Sequence, residues 1–127
     1  MTTDKHYEFT VTIETAFIPD QSDEAQNRYV FSYTITIVNT GSVPAQLISR
    51  HWLITDAANQ VQEVRGLGVV GVQPFLRPSE QFQYTSGCIL PTPTGTMHGS
   101  YQMVGEDGSQ FETTIPKFTL NMPRVLH

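Results

Sequence analysis

A glycine-rich segment is the part of this 127-residue sequence that most suggests chemistry. Residues 66–71 read GLGVVG and so match G-x-G-x-x-G. In dinucleotide-binding folds these glycines let the backbone approach a pyrophosphate, while the N-terminus of the following helix faces it. Here Pro74 and Pro78 prevent a long helix, and no acidic residue lies near Gly87, about 20 residues on, where the ribose-binding acid belongs. The sequence therefore excludes a Rossmann-type nucleotide site.

A weaker anion site remains possible at the same segment. Backbone N–H groups at Gly66, Gly68 and Gly71 can form a nest for an anion such as pyrophosphate. Arg65 precedes the segment directly, and Arg50 is a candidate neighbour. The alternative interpretation, which we favour, is that the glycines serve tight turns, bulges or close packing between sheets.

The histidines and acidic residues do not predict a metal site. None of the histidines has another histidine or cysteine at ligand spacing; they are His6, His51, His98 and His127. The acidic run over residues 19–24 lacks the spacing and the glycine of an EF-hand loop. We therefore expect no bound metal and no cofactor.

A nucleophile with its helper groups is also missing. Cys88 is the only cysteine, and the sequence identifies neither a base nor an orienting group for it. The stretch Thr85-Ser86-Gly87 lacks the first glycine of a G-x-S-x-G elbow. The sequence accordingly predicts a protein that is not an enzyme.

Two segments combine apolar residues with glycine and proline, and they are the best candidates for contacting a partner. The segment 66–78 contains Val69, Val70, Val72, Phe75 and Leu76, and the segment 92–99 follows Ile89 and Leu90. Apolar side chains in irregular segments either plug the ends of a domain or form a binding patch. Loops on rigid β scaffolds commonly carry recognition. We therefore predict a non-catalytic binding module for an unidentified protein partner, in which Val70 and Phe75 contribute to the surface.

Composition restricts the class of protein. Seven basic against twelve acidic residues give a net charge of −5, so the basic surface that nucleic-acid binding needs is absent. No run approaches the roughly 20 apolar residues of a membrane span, so we expect no membrane insertion. The start of the chain lacks the apolar core of a secretory signal, and a single cysteine suits a reducing compartment. These features predict one cytoplasmic domain over residues 1–127.

The elements that must position these residues are strands. The 35 valine, isoleucine and threonine residues outnumber the common helix formers. Apolar and polar residues alternate most clearly over Tyr29–Ile37, and Gly105–Gly108 predicts a tight hairpin turn. Seven or eight short antiparallel strands with essentially no helix favour a two-sheet sandwich of immunoglobulin or fibronectin type III type, with a barrel as the alternative. Trp52 would be a core residue of that sandwich and Tyr101 its tyrosine corner, although both suit ordinary core packing.

The sequence also resembles a known family, the bacterial ApaG proteins, also called CorD. The resemblance extends over nearly the whole chain, and the strings that carry it are LISRHW (47–52), GLGVVGVQP (66–74), PSE (78–80), FQYTSG (82–87), TPTGTMHGSYQM (92–103) and IPKFTL (115–120). One departure is Ser79, where the family usually has glycine.

The resemblance implies a fibronectin type III-like sandwich and an association with cobalt resistance and magnesium efflux. In eukaryotes the same domain occurs in some F-box proteins and in a protein that interacts with DNA polymerase delta, which implies an interaction module. The family's glycine motif has also prompted proposals of pyrophosphate binding. Lacking the helix and the acid, this sequence gives those proposals little support.

Overall fold

The computed structural model describes residues 5–123, which form eight β-strands and two single turns of 3-10 helix at Pro19–Gln21 and Glu24–Gln26. The strands are β1 (Phe9–Phe17), β2 (Tyr29–Asn39), β3 (Ala45–Asp56), β4 (Val61–Leu67), β5 (Phe75–Leu76), β6 (Gln81–Leu90), β7 (Thr94–Gly105) and β8 (Gln110–Asn121). Every pairing between them is antiparallel.

The first sheet has the strand order β1-β2-β6. The alternation predicted for Tyr29–Ile37 places Ile35 and Ile37 in the core, while Thr34 and Thr36 line the outer face of β2. Because side chains alternate with a period of two, this pattern fixes which face of β2 is buried.

The second sheet has the order β4-β3-β7-β8, and the short strand β5 pairs with the beginning of β3. The pairing of β3 with β7 shifts at Ile48, and that of β7 with β8 shifts at His98. These bulges change the local twist without ending either strand.

The core lies between the two sheets. Trp52 is buried there, and its ring meets Tyr33 edge-on at 5.5 Å and Phe118 at 5.9 Å. Phe9 and Phe111 stack across one side of the sandwich, so that β1 and β8 close it. The opposite side is bordered by β6 and β4.

The all-β sandwich predicted from the sequence is confirmed, and the barrel alternative is wrong because the strands form two separate sheets. The arrangement is compatible with the fibronectin type III type, which stays a prediction. The hairpin turn at Gly105–Gly108 is confirmed, with Gly108 at a φ of +86°. β5 was not expected, because two residues carry no readable periodicity.

Trp52 is a core residue, as predicted, but Tyr101 is not a tyrosine corner. The hydroxyl of Tyr101 bonds to that of Tyr84 on β6, 2.5 Å away and buried between the sheets, instead of returning to the backbone a few residues upstream. Burial raises the pKa of both phenols well above the ordinary value, so both stay neutral. Within residues 5–123, no helix has the length and apolar character that crossing a membrane requires.

Candidate functional site

The segment 66–71 is half strand and half turn. Gly66 belongs to β4 and pairs with Arg50 of β3. Beyond Leu67 the chain turns back, since Val69 and Val72 exchange both backbone hydrogen bonds, at 2.8 and 3.0 Å. The chain therefore forms a two-residue hairpin here, which we call the 69–72 hairpin, and no helix follows it.

Gly66 is a glycine because Arg50 lies directly against it. A Cβ atom built on Gly66 would lie 2.8 Å from the guanidinium carbon of Arg50. Nη1 of that group donates to the carbonyls of Leu67 and Gly68, at 2.9 and 2.8 Å. The missing side chain thus lets one arginine hold the chain where it leaves β4.

Gly68 and Gly71 answer backbone requirements of the turn. Gly68 has a φ of +62°, and a Cβ there would lie 2.3 Å from the carbonyl oxygen of Val72. Gly71 has a φ of +83°, with open space where its Cβ would be. The geometry agrees with the favoured interpretation, in which the glycines serve turns and close packing.

Val70 occupies the tip of the 69–72 hairpin in a conformation that valine avoids. Its φ is +42°, in the left-handed region, and its side chain is 58% exposed. Two-residue hairpins with positive φ at both central positions prefer Asn-Gly, because asparagine tolerates this region whereas a β-branched residue does not. A strained, exposed valine therefore stands where a polar residue would be more stable.

Val70 belongs to a set of exposed apolar side chains that we call the hairpin patch. Its members are Leu67, Val70, Val72 and Phe75. Val69 and Leu76, which the sequence analysis grouped with them, are instead buried in the core. Leu67 was missed, although it is 76% exposed. The sequence carries no signal for it, because its exposure follows from its pairing with Ser49 on the outer face of β3.

The hairpin patch rests on a firmly held base. The side-chain amide of Gln73 donates to the carbonyl of Ile48 at 2.9 Å, and Gln46 donates to the carbonyl of Gln73 at 3.0 Å. The guanidinium of Arg77 lies 5.9 Å from the centre of the Phe75 ring. The apolar surface is thus presented by an anchored segment.

The two arginines proposed for an anion site lie on opposite faces of their sheet. Arg65 pairs with His51 and bonds to Glu63 at 3.2 Å on the outer face. Arg50 is one position away in the register and points toward the core side, because successive residues of a strand alternate. The structure does not bring the two cations together.

The first half of the second predicted partner segment, 92–99, lies at the opposite end of β3 from Phe75. Thr96 and Gly95 pair with Thr55 and Asp56 at the end of β3, whereas Phe75 pairs with Gln46 near its beginning. The separation along the strand is about 30 Å at 3.3 Å per residue. At the other end of the segment, Gly99 pairs with Trp52, three residues from Ser49, which pairs with Leu67. That both segments contact the partner stays a prediction.

A comparison with protein families matches residues 19–105 to the ApaG domain. The chain belongs to the ApaG family. Protein ApaG of Methylobacillus flagellatus is 65% identical over 127 residues, which is the whole of both chains. Protein ApaG of Thiobacillus denitrificans is 63% identical over 123 residues, 97% of each.

Solved structures agree with the family assignment. The fold resembles the crystal structure of an ApaA protein from Bordetella pertussis with a TM-score of 0.92 and 60% identity, over 95% of this chain and 98% of that one. A second X-ray structure, of a Northeast Structural Genomics Consortium target, has a TM-score of 0.86 and 45% identity, over 94% and 90%.

Ser79, where the resemblance to the ApaG proteins implies glycine, lies at a special backbone position. Ser79 has a φ of +69°, in a turn where the N–H of Glu80 donates to the carbonyl of Arg77. A glycine adopts this region without strain. The turn keeps its shape here with a serine.

Metal-ligating groups do not assemble in the part of the ApaG chain that the structure describes. No three histidine, cysteine, aspartate or glutamate side chains converge within residues 5–123. Two histidines lie near a carboxylate: Nε2 of His6 is 3.0 Å from Glu8, and Nε2 of His51 is 3.4 Å from Glu63. Nε2 of His51 and Nδ1 of His98 are both buried without a hydrogen-bond partner among the described residues. His127 lies outside those residues.

Cys88 is placed for packing and not for reaction. Its thiol is buried in the core, and burial raises its pKa to about 11. The reactive species is the thiolate, which is almost absent near pH 7 at that pKa.

Proposed function

We propose that this ApaG-family chain is a non-catalytic binding module, and that the hairpin patch docks onto an apolar surface of a protein partner. The observation that carries the proposal is Val70, which is exposed at the hairpin tip at a φ of +42°. Backbone outliers that persist in a rigid setting cluster at functional positions.

The energetic argument compares the isolated and the bound molecule. Holding a β-branched residue in the left-handed region costs about 1–2 kcal/mol, and Val70, which is 58% exposed, recovers only part of this by packing within the chain. Burying a valine side chain against a partner contributes about 1.5–3 kcal/mol. Covering the hairpin patch therefore adds a favourable contribution large enough to offset the unfavourable conformation of Val70.

The deciding variant is Val70→Asn, which suits the turn and removes the apolar group. We expect its free energy of unfolding to rise by about 1 kcal/mol, while partner capture is lost. The matched control is Val61→Asn, because Val61 is equally exposed on β4 but lies outside the hairpin patch. Proteins retained from native lysate by the wild type and by Val61→Asn, but not by Val70→Asn, are identified by mass spectrometry.

A second variant tests the hairpin patch without changing the turn. Phe75→Asp places a charge in the hairpin patch without altering the 69–72 hairpin and should abolish capture in the same way. Capture that survives both Val70→Asn and Phe75→Asp in a folded protein would refute the proposal.

The alternative candidate is a phosphoanion, such as pyrophosphate or a nucleotide, bound at Gly66–Gly71. It is supported by the N–H groups of Val70 and Gly71, which donate to no backbone carbonyl in the described part of the chain. Against it, Nη1 of Arg50 already donates to two carbonyls. Calorimetric titration with pyrophosphate and ATP tests whether the segment binds a phosphoanion. The absence of binding heat at millimolar ligand would exclude this candidate.

We place the module in the cytoplasm, because its thiol is not part of a disulfide and suits a reducing compartment. The family association with cobalt resistance and magnesium efflux stays a prediction, and a captured partner that acts in cation transport would account for it. Fractionation of cells that express the untagged protein tests the location.

A further inference from the structure

The outer edge of β6 presents unpaired backbone groups. The N–H of Asn39 donates to the carbonyl of Glu80 at 3.0 Å. Since bonded and non-bonded pairs alternate along an antiparallel ladder, this bond fixes which β6 residues face β2. It leaves the N–H and C=O groups of Gln83, Thr85, Gly87 and Ile89 facing away from β2. All four residues are exposed, and no other described strand pairs with this edge.

β6 differs from the other strands that end a sheet. Natural proteins protect exposed edges with charged residues or proline. The other three edge strands each contain such residues. These are Glu14 in β1, Glu63 and Arg65 in β4, and Pro116 and Lys117 in β8. The sequence of β6, QFQYTSGCIL, contains no charged residue and no proline. Its pairing with β2 runs without a bulge over its whole length. An unprotected, regular edge of this kind is suited to strand addition.

The inner face of strand β4 lies uncovered beside this edge, and we call this face the floor of the groove. Trp52 and Ile54 of β3 are buried beneath the first sheet. The residues of β4 that pair with them, Val64 and Gln62, are half-buried and exposed respectively, so β4 extends past the cover of the first sheet. A depression beside it is lined by Gln62 of β4, by Ile54 of β3 and by Ile89 and Leu90 at the end of β6.

The floor has a defined chemistry. Val64 and Gly66 of β4 pair with Trp52 and Arg50 and therefore face the inner side. Val64 packs partly buried against the core, and the guanidinium of Arg50 lies over Gly66. Two residues of a strand span about 6.6 Å. An added strand thus sets one inward side chain over Val64 and the next over Arg50.

We propose that the groove between the edge of β6 and β4 binds an extended peptide segment of another protein by strand addition. The segment carries an apolar residue over Val64 and, two positions away, a carboxylate opposite Arg50. Charge complementarity supports this chemistry, because the cation of Arg50 is met by no acidic side chain within the described residues. The occupant is a single strand and not a second copy, since a second copy would bring its own four-stranded sheet against β4.

The experiment titrates the ¹⁵N-labelled full chain with the peptide acetyl-STVTETSK-amide, in which the valine and the glutamate are two residues apart. We expect saturable NMR shifts at the amides of Gln83, Thr85, Gly87 and Ile89. N-methylation of the peptide at the amides that face β6 should weaken binding at least about tenfold, whereas N-methylation of the alternate amides changes it less than about twofold. Replacing the glutamate with lysine should weaken binding about fivefold or more.

Variants of the chain give an independent check. Gly87→Pro removes an outward-facing N–H without touching the ladder to β2, and it should abolish binding. If this variant does not fold, the N-methylated peptides alone test whether the peptide pairs with the edge of β6. Val70→Asn should bind the peptide as the wild type does, so that failure at this groove and failure at the hairpin patch are distinguishable.

Several results would overturn the proposal. They are the absence of shifts at about 5 mM peptide, equal weakening by both N-methyl series, and shifts confined to the hairpin patch. Edge amides that shift with protein concentration alone, without peptide, would show that a second copy is the occupant.

Discussion

Replacing Gly66 with alanine separates a structural role of the glycine motif from a ligand-binding role. The new methyl group would lie 2.8 Å from the guanidinium carbon of Arg50 and 2.9 Å from Nη1, so the guanidinium must move. Its movement breaks the hydrogen bonds to the carbonyls of Leu67 and Gly68. A ligand-binding role alone would leave the stability of the free protein unchanged.

The expected change in the free energy of unfolding follows from those two hydrogen bonds. Hydrogen bonds from a charged donor contribute about 1.5–3 kcal/mol each when buried, and the partial exposure of Arg50 reduces the pair to about 2–3 kcal/mol. Gly66→Ala should therefore lower the free energy of unfolding by about 2 kcal/mol. For a chain of this length the melting temperature falls by about 6–8 °C.

A double-mutant cycle isolates the cause. In an Arg50→Ala background the methyl group meets no guanidinium, and alanine restricts the unfolded chain more than glycine, so Gly66→Ala should be neutral or slightly stabilising. The expected coupling energy is about 2 kcal/mol. Urea unfolding followed by the fluorescence of Trp52, the only tryptophan, measures all four proteins. Strictly additive effects of the two substitutions would refute the reasoning.

Two further predictions concern titrating groups. Hydrogen bonds from Tyr7 and Lys5 hold the pKa of Asp107 well below its usual range, so its stabilising effect is present above about pH 4 and is lost as the pH falls further. Asp107→Asn should flatten that part of the stability curve between about pH 2 and 5, and an unchanged slope in urea titrations would contradict this. Because burial raises the pKa of the Cys88 thiol to about 11, Ellman's reagent at pH 8 should label it only as fast as the domain opens. Labelling at the rate of a free thiol would show that Cys88 is accessible in the native state.

The alternation of apolar and polar residues was enough to predict the strands. A half-buried strand needs one apolar face, whichever strands it pairs with. The ends of the strands were less predictable. β7 begins at Thr94, inside a threonine- and proline-rich stretch that resembles a loop, because its neighbours β3 and β8 supply the pairing. That extension places Thr94–Thr96 in the sheet, at the opposite end of β3 from Phe75.

The contacts of the glycine motif depended on which residues of β3 and β4 pair with each other, and the sequence does not show this pairing. The pairing of β3 with β4 places Gly66 opposite Arg50, and the turn between those strands sets that pairing. Shifting it by one residue would reverse the faces of both arginines. The strain at Val70 depended in turn on the 69–72 hairpin, since valine itself carries no signal of a positive φ. Both features become visible only when the backbone is known.

The closure of the sandwich by its first and last strands has a consequence for synthesis of the chain. Lys5 contacts Asp107 across 102 residues, and Phe9 stacks on Phe111. Contacts so distant along the chain make folding slow, typically milliseconds to seconds for all-β domains. Until β8 leaves the ribosome, β7 has one bare side and β1 has no layer to cover, so the nascent polypeptide stays aggregation-prone until β8 has been synthesised.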